Sequence, residues 1–408
     1  METMNRLNLG MALGALITGY AIHAGAQTQA PNVATSAATQ ALQEAVSLDV
    51  KSQLQRQDLA LKKEQTVLLK NSQTPLVAAK VQEIGQARSN IAAATRMLDG
   101  EPPQSLKDLK EKTETIRVVT RPVYGVCSGA PWANDQMTAW RSWRDYIGDV
   151  SSPLATVAKS VGVIFQYYQP DAEAKPKYMS VGATAFVVGK SHIITNRHVL
   201  QNYAYIDNQG AWRLYGKQLL VVSFPLEYSS CATRSAQRDV RIVAIEAVGG
   251  DGENNDYAIL RTEDNALPPA APLAPNFNLT EGSRVAVIGY PSRPVSCAGA
   301  DAGDDCTYLS EKQIDTMFKL PDSQIPFPAE RIAPGMLLMN PSLDPQQFSY
   351  DSSTWGGNSG SPVVRLSDGM IVGLHYGGYG GDSEKATYNN AIKVDRIRKA
   401  LAEAGVTQ

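Results

Sequence analysis

A chain of 408 residues exceeds one ordinary domain, and about 150 residues per domain gives two or three. Hydrophobic residues make up 43% and charged residues 19%, with a mean hydropathy of −0.23, which excludes a disordered chain and a polytopic membrane protein. The net charge of −2, from 38 basic and 40 acidic residues, leaves no overall electrostatic footprint for nucleic acid.

The first 26 residues read as a signal peptide. Arg6 gives a small positive start if translation begins at Met4, Leu7 to Ile22 is mostly apolar without charge, and Ala24-Gly25-Ala26 offers the small residues a signal peptidase accepts. The rival is a membrane anchor, but the apolar run is short of the roughly 18 to 20 residues of a span. Cleavage after Ala26 predicts a periplasmic or secreted protein without stable membrane insertion, and removal of Glu2 with Arg6 leaves the charge at −2.

From about Ala41 to Asp99, within an extension spanning 27–103, strong helix formers dominate. Thr74 and Pro75 suit an N-cap and first helical position after a break. Val77, Val81, Ile84, Ile91 and Leu98 then follow a 4-3 spacing with Arg88 and Thr95 in the same stripe. An α-helical hairpin is predicted. It reads as a coiled coil for self-association, a removable propeptide, or an amphipathic pair packed on the body. Residues 104–152 form a connector with short helices, in which Ser105 caps a helix through Lys112 and Met137, Trp140, Trp143 and Ile147 present an apolar face to the main domain.

From 153 to 408 short apolar runs alternate with turn clusters: Val161 to Phe165, Ala185 to Val188, Leu219 to Phe224, Val240 to Ala247, Tyr257 to Leu260, Val285 to Ile288, Pro362 to Arg365 and Met370 to Leu374. That texture predicts a mainly β domain, a barrel or sandwich. The chain ends on an amphipathic helix from about Val394 with Ile397, Leu401 and Ala402 inward, stopped by Gly405. Four cysteines without a Cys-x-x-Cys pair argue against a zinc ribbon or thioredoxin-type site. Cys297 and Cys306 suit a local disulfide, and Cys127 and Cys231 then pair by elimination or remain two free thiols.

The sharpest segment is Ser352-Ser353-Thr354-Trp355-Gly356-Gly357-Asn358-Ser359-Gly360-Ser361-Pro362. Glycines on both sides of a serine permit a tight turn that holds the hydroxyl clear and leaves backbone N–H groups free to face an oxyanion. The plain alternative is a Gly/Ser turn between strands. A serine nucleophile needs a base. Beyond the leader the chain has His192, His198 and His375, and His198 stands where the β-branched stretch Ile193-Ile194-Thr195 meets a polar break. His192 reads as a structural residue. Asp256, at the mouth of Tyr257-Ala258-Ile259-Leu260, is the orienting carboxylate, with Asp239 and Asp251 as weaker rivals.

Thr195-Asn196-Arg197-His198-Val199, Asp256-Tyr257-Ala258-Ile259-Leu260 and Gly357-Asn358-Ser359-Gly360-Ser361-Pro362 resemble the three catalytic boxes of trypsin-like serine proteases, in that family's order. Asn358, the Ser361-Pro362 pair and Gly289-Tyr290-Pro291 resemble its glutamyl endopeptidase branch. The resemblance covers roughly 155–405 and implies a chymotrypsin-like double β-barrel with a C-terminal helix, preceded by the helical hairpin. It implies a serine endopeptidase with peptide or protein substrates and no cofactor or metal. Ser359 would attack, His198 would shuttle the proton, Asp256 would hold the tautomer, and the N–H groups of Gly357 and Ser359 would form the oxyanion hole. Ser353 stands where a protease reading Lys or Arg carries an acid, and His375 with Thr354 would read Glu or Asp.

Four features depart from the pattern, the first being that the helical segment before residue 100 is not part of the protease body. Ala185 replaces a common glycine, residues from Pro294 to about Pro334 form a long insertion, and Asn358 replaces the aspartate that pairs with a freed N-terminus in many zymogens. In the insertion Asp301, Asp304 and Asp305 read as a solvated loop rather than a calcium site, because the spacing is not that of an EF-hand. The competing function is a catalytically silent protease-fold module that binds peptides or proteins. A PDZ-bearing quality-control protease is disfavoured by the 49 residues after Ser359, and a lipase by the His-Asp-Ser order.

Overall fold

A computed structural model describes single positions between 55 and 96, then 121, 123–127, 130–132, 143, 147–148, 151–169, 171, 175–225, 237–250, 255–263, 267–280, 282–294, 314, 329–337, 345–378 and 389–407. The leader, Thr74, Pro75, Ser105, Met137, Trp140, Asp251, the three acids of the insertion, Cys231, Cys297 and Cys306 lie outside these residues, as does the Cys127 side chain.

The first barrel is built from β3 (Val161–Tyr168), β4 (Lys177–Gly189), β5 (His192–Thr195), β8 (Gln218–Pro225), β9 (Gln237–Val248) and β10 (Ala258–Thr262), closed in the order β10-β5-β4-β3-β8-β9. Residues 185–188 on β4 and 258–260 on β10 read as unbroken apolar runs because both faces are buried there, whereas β9 alternates buried Val240 and Ile242 with exposed Asp239, Arg241 and Val243. Ala183, Ala185 and Val187 on β4 fill the barrel interior with Ile164, Val222 and Phe224, while Phe186 and Val188 join a second, larger core cluster that runs into the other half of the molecule. Ala185 is fully buried, so its methyl group is part of that interior.

The second unit is an eight-stranded sheet ordered β13-β16-β15-β14-β11-β12-β1-β2. Its strands are β1 (Tyr124–Cys127), β2 (Ala130–Trp132), β11 (Arg284–Gly289), β12 (Arg331–Met336), β13 (Gln347–Tyr350), β14 (Pro362–Arg365), β15 (Ile371–Gly378) and β16 (Asn389–Lys393). An isolated bridge from Leu337, just past β12, to Tyr350 on β13 brings the sheet round on itself. The molecule is therefore a double β-barrel of the chymotrypsin type. Between the strands of the first barrel, β6 (Ala204–Ile206) and β7 (Trp212–Leu214) make a small hairpin.

Among the described residues, helices on the body include α1 (Ser151–Lys159), the single turn α2 (Arg197–Leu200) and α3 (Val394–Glu403). On α3 the inward residues are Val394, Ile397, Ala400 and Leu401. Ala402 is exposed, a correction to the expected inward set, because the helical turn carries position 400 rather than 402 onto the face of 397 and 401. Gly405, at φ 69°, ends the helix as expected.

Two further readings change. Arg331–Met336 is a barrel strand paired with β11 from Arg284↔Met336 to Gly289↔Arg331, so the insertion stops short of it. The connector contains strands: β1 pairs with β12 through Tyr124↔Ile332 and Gly125↔Arg331. Trp143 and Ile147 are buried in the larger cluster, docking this stretch on the body. The described positions between 55 and 96 are all helical. Arg88 joins the two helical stretches by donating from Nε to Asp58 Oδ1 at 2.8 Å and from Nη1 to Gln65 Oε1 at 3.1 Å, and Ile91 is buried in the same cluster.

Candidate active site

β5 and β10 pair with Thr195 opposite Ala258 and Ile194 opposite Ile259. That register sets the residues just past Thr195 beside those just before Ala258. α2 turns immediately after β5, anchored by buried Val199 and Leu200, and leaves His198 half-buried at the strand end. Asp256 Oδ2 lies 2.6 Å from His198 Nδ1, and Asp256 Oδ1 accepts the His198 backbone N–H at 2.9 Å. Asn196 Nδ2 donates to the Asp256 carbonyl at 2.8 Å, which fixes the aspartate's backbone as well. A carboxylate at Nδ1 makes that nitrogen the donor and leaves Nε2 with a lone pair, the form a general base requires. The rival carboxylate Asp239 is exposed on β9, and His192 pairs across the strands with Arg261.

Ser359 sits in the loop before β14, and its neighbours tie it to the first barrel. The Ser359 carbonyl accepts the Thr184 N–H at 3.0 Å, and the Gly357 carbonyl accepts Thr184 Oγ1 at 2.8 Å. Thr184 Oγ1 also accepts the Tyr290 N–H at 3.0 Å. Gly360 takes φ 88°, and a Cβ there would stand 2.0 Å from the Thr184 carbonyl oxygen and 2.4 Å from Thr195 Oγ1. The Ser359 turn thus lies against Thr195, the last residue of β5, two positions before Arg197 opens α2. Gly357 takes φ 90°, and a Cβ would stand 2.5 Å from the Tyr290 carbonyl oxygen, so glycine is required by conformation and by space. Among the described residues the N–H groups of Gly357 and Ser359 find no acceptor.

His375, on β15, receives the Gly360 N–H at its carbonyl (3.0 Å) and donates its own N–H to the Ser361 carbonyl (2.9 Å), so it borders the nucleophile turn. His375 is 3% exposed, and its Nδ1 lies 2.6 Å from the Tyr350 hydroxyl. Burial, with a smaller contribution from His198, pushes the His375 pKa down to about 3, while burial raises that of Tyr350. With the Tyr350 hydroxyl as donor to Nδ1, the other His375 nitrogen, Nε2, carries the ring proton and is an N–H donor. Thr354 is half-buried, and its Oγ1 donates to Asn389 Oδ1 at 2.5 Å; Asn389 Nδ2 in turn donates to the Ser352 carbonyl at 2.6 Å. Sequence reasoning did not pick out Thr184, Tyr350 or Asn389. Thr184 had the one available signal, its place in the strand entry Gly182-Ala183-Thr184-Ala185-Phe186.

Residues 183–374 match the family described as trypsin-like peptidase domain. Over 237 residues, 56% of this chain, the sequence is 23% identical to a glutamyl endopeptidase of Staphylococcus epidermidis. The chain spans 65% of the length of that curated relative. Among solved structures, the active form of the Rv3671c protease from M. tuberculosis aligns with 63% of this chain and 86% of its own, at 17% identity and a TM-score of 0.36. An inactive form of that protease aligns with 63% of this chain and 92% of its own, at 16% identity and a TM-score of 0.34.

Proposed function

We propose, from the premise that residues 183–374 form a trypsin-like peptidase domain, that this chain is an exported serine endopeptidase acting on peptide or protein substrates. The observation that carries the reading is the two-point grip of Asp256 on His198 beside a nucleophile turn packed against Thr184 and Thr195. In this reading His198 Nε2 takes the Ser359 proton as Oγ bonds to the scissile carbonyl carbon. The carbonyl oxygen gains the charge, and the unpartnered N–H groups of Gly357 and Ser359 receive it. His198 then gives the proton to the departing amine as the acyl-enzyme forms, and water repeats the sequence to release the acid. Asp256 keeps its charge throughout and stabilises the imidazolium. No cofactor enters these steps.

We assign the residue before the scissile bond as Glu or Asp. The His375 N–H at Nε2 and the Thr354 hydroxyl are donors on the two segments that flank the nucleophile turn. A carboxylate accepts from both once the Thr354 hydroxyl turns from Asn389. No acid stands at Ser353, whose Oγ donates to the Arg121 carbonyl instead. The reading of residues 1–26 as a leader cleaved after Ala26 supports export.

Digestion of a peptide library by the protein beginning at Gln27, alongside Ser359→Ala, tests the reading. The expected cuts fall after Glu or Asp and vanish in the variant. Serine-dependent cuts after other residues would remove His375 and Thr354 as readers and keep the protease. A protein that cuts nothing and takes up no fluorophosphonate at Ser359 would be the silent binding module instead.

A further inference from the structure

We propose that Arg121 is a positioning residue for catalysis, acting through Asp351 and Ser353 on the loop that carries Thr354, Gly357 and Ser359. The proposal rests on the endopeptidase reading above. Arg121 lies ahead of β1, 230 positions from Asp351, yet its Nε donates to Asp351 Oδ1 at 2.8 Å and its Nη2 to Asp351 Oδ2 at 2.5 Å. Arg121 is 3% exposed and Asp351 9%, so the fork is closed inside the protein. The grip has a second point, because the Arg121 carbonyl accepts Ser353 Oγ at 2.7 Å. One residue of the N-terminal segment therefore holds the first and third residues of a strandless stretch that ends at the nucleophile.

Both ends of this link are themselves fixed. Asp351 Oδ1 also accepts the Met336 N–H at 2.7 Å, which ties it to β12. The Arg121 guanidinium stands 5.2 Å from the ring centre of Trp143, which is buried, and β1 follows at once in the sheet. A buried ion pair is weak evidence for net stability, since a well-packed apolar pair serves as well or better. A bidentate fork adds fixed geometry. Here that geometry sets where residues 351–353 sit, and with them Thr354 and the turn at Gly357. It follows that a segment removed on maturation ends before Arg121.

The test compares Arg121→Ala and Arg121→Lys with Ile397→Val, a conservative core change on α3 that leaves the Arg121–Asp351 fork intact, in the Gln27 protein held well below each variant's Tm. A misplacement of roughly 1 Å costs on the order of 100-fold in rate, so kcat/KM for Arg121→Ala is expected to fall about that far. Arg121→Lys keeps the charge but not the fork and recovers only part, millimolar guanidinium restores Arg121→Ala, and Ile397→Val stays near the parent. Hydrogen exchange across 352–358 is expected to rise in Arg121→Ala and not in Ile397→Val. Unchanged exchange there, or a kcat/KM equal to the parent once folded, would overturn the proposal. A parent protein that neither cleaves nor labels at Ser359 would overturn the endopeptidase reading instead, and the exchange experiment would still report whether Arg121 holds the loop.

Discussion

Asp256 presents one oxygen to the ring of His198 and the other to its backbone N–H, so in the proposed mechanism the carboxylate fixes the tautomer and the position of the base together. Asp256→Asn replaces an acceptor with an amide that turns its NH2 toward one of these donors. The ring is then favoured with its proton on Nε2, and the base is lost. A fall in kcat of about 10,000-fold is expected, with little change in folding, by steady-state kinetics and thermal unfolding. A loss under tenfold would mean that another group orients His198. His375 makes a prediction in pH. Its folded pKa, about 3, lies below its unfolded value, so between the two the unfolded chain binds a proton that the folded chain does not. Stability therefore falls as pH drops from about 6.5 toward 3, and His375 contributes no slope above that window. Urea unfolding at pH 7 and pH 4.5 should show His375→Gln losing about 2 to 3 kcal/mol less than the parent over that interval. Equal losses would place the imidazole in contact with water.

The turn from Asn358 to Ser361 is an element whose shape depends on glycine. Gly360→Ala would set a Cβ against the Thr184 carbonyl and Thr195 Oγ1 at φ 88°. Left-handed strain and overpacking together are expected to cost about 2 to 5 kcal/mol and to move the Ser359 hydroxyl. Gly216→Ala, where a Cβ meets nothing within 4 Å, is the matched control. Comparable Tm values for the two would show the turn to be slack. The same element was legible in the sequence because its glycines are local. So were the strands whose two faces are both apolar, such as β4 and β11, which surface as runs of Ala, Val, Ile and Phe. β13 and β16 did not surface, because Ser349, Asn389 and Asn390 interrupt the apolar pattern. Inside the fold those polar groups meet one another, Ser349 Oγ donating to Asn390 Oδ1 at 2.7 Å and Asn389 bridging Thr354 to Ser352. β12 was hidden by Pro334 and Gly335, which read as a turn. The Arg121 and Asp351 link left no trace at all, since no local spacing relates residues 230 positions apart.

At the scale of the molecule, His198 and Asp256 belong to the first barrel and Ser359 to the second, so the chemistry proposed for them depends on how firmly the barrels are keyed. α3 follows β16 directly and supplies a key. Arg396 Nε donates to Asn255 Oδ1 at 3.0 Å and Nη2 to the Tyr257 hydroxyl at 2.8 Å, with the guanidinium 4.8 Å from the Tyr257 ring centre. These are the two sequence neighbours of Asp256. A helix fixed to the second barrel thus holds both sides of a residue in the first. Arg396→Ala is expected to lower kcat by about 10- to 100-fold with KM nearly unchanged, because it loosens the reacting geometry and not the pocket. Arg396→Lys should recover little, since a single ammonium does not span an amide oxygen and a phenol while lying over a ring. Full kcat per folded molecule in Arg396→Ala, with only Tm reduced, would make the arginine a clasp between barrels that plays no part in aligning Asp256 and His198 with Ser359.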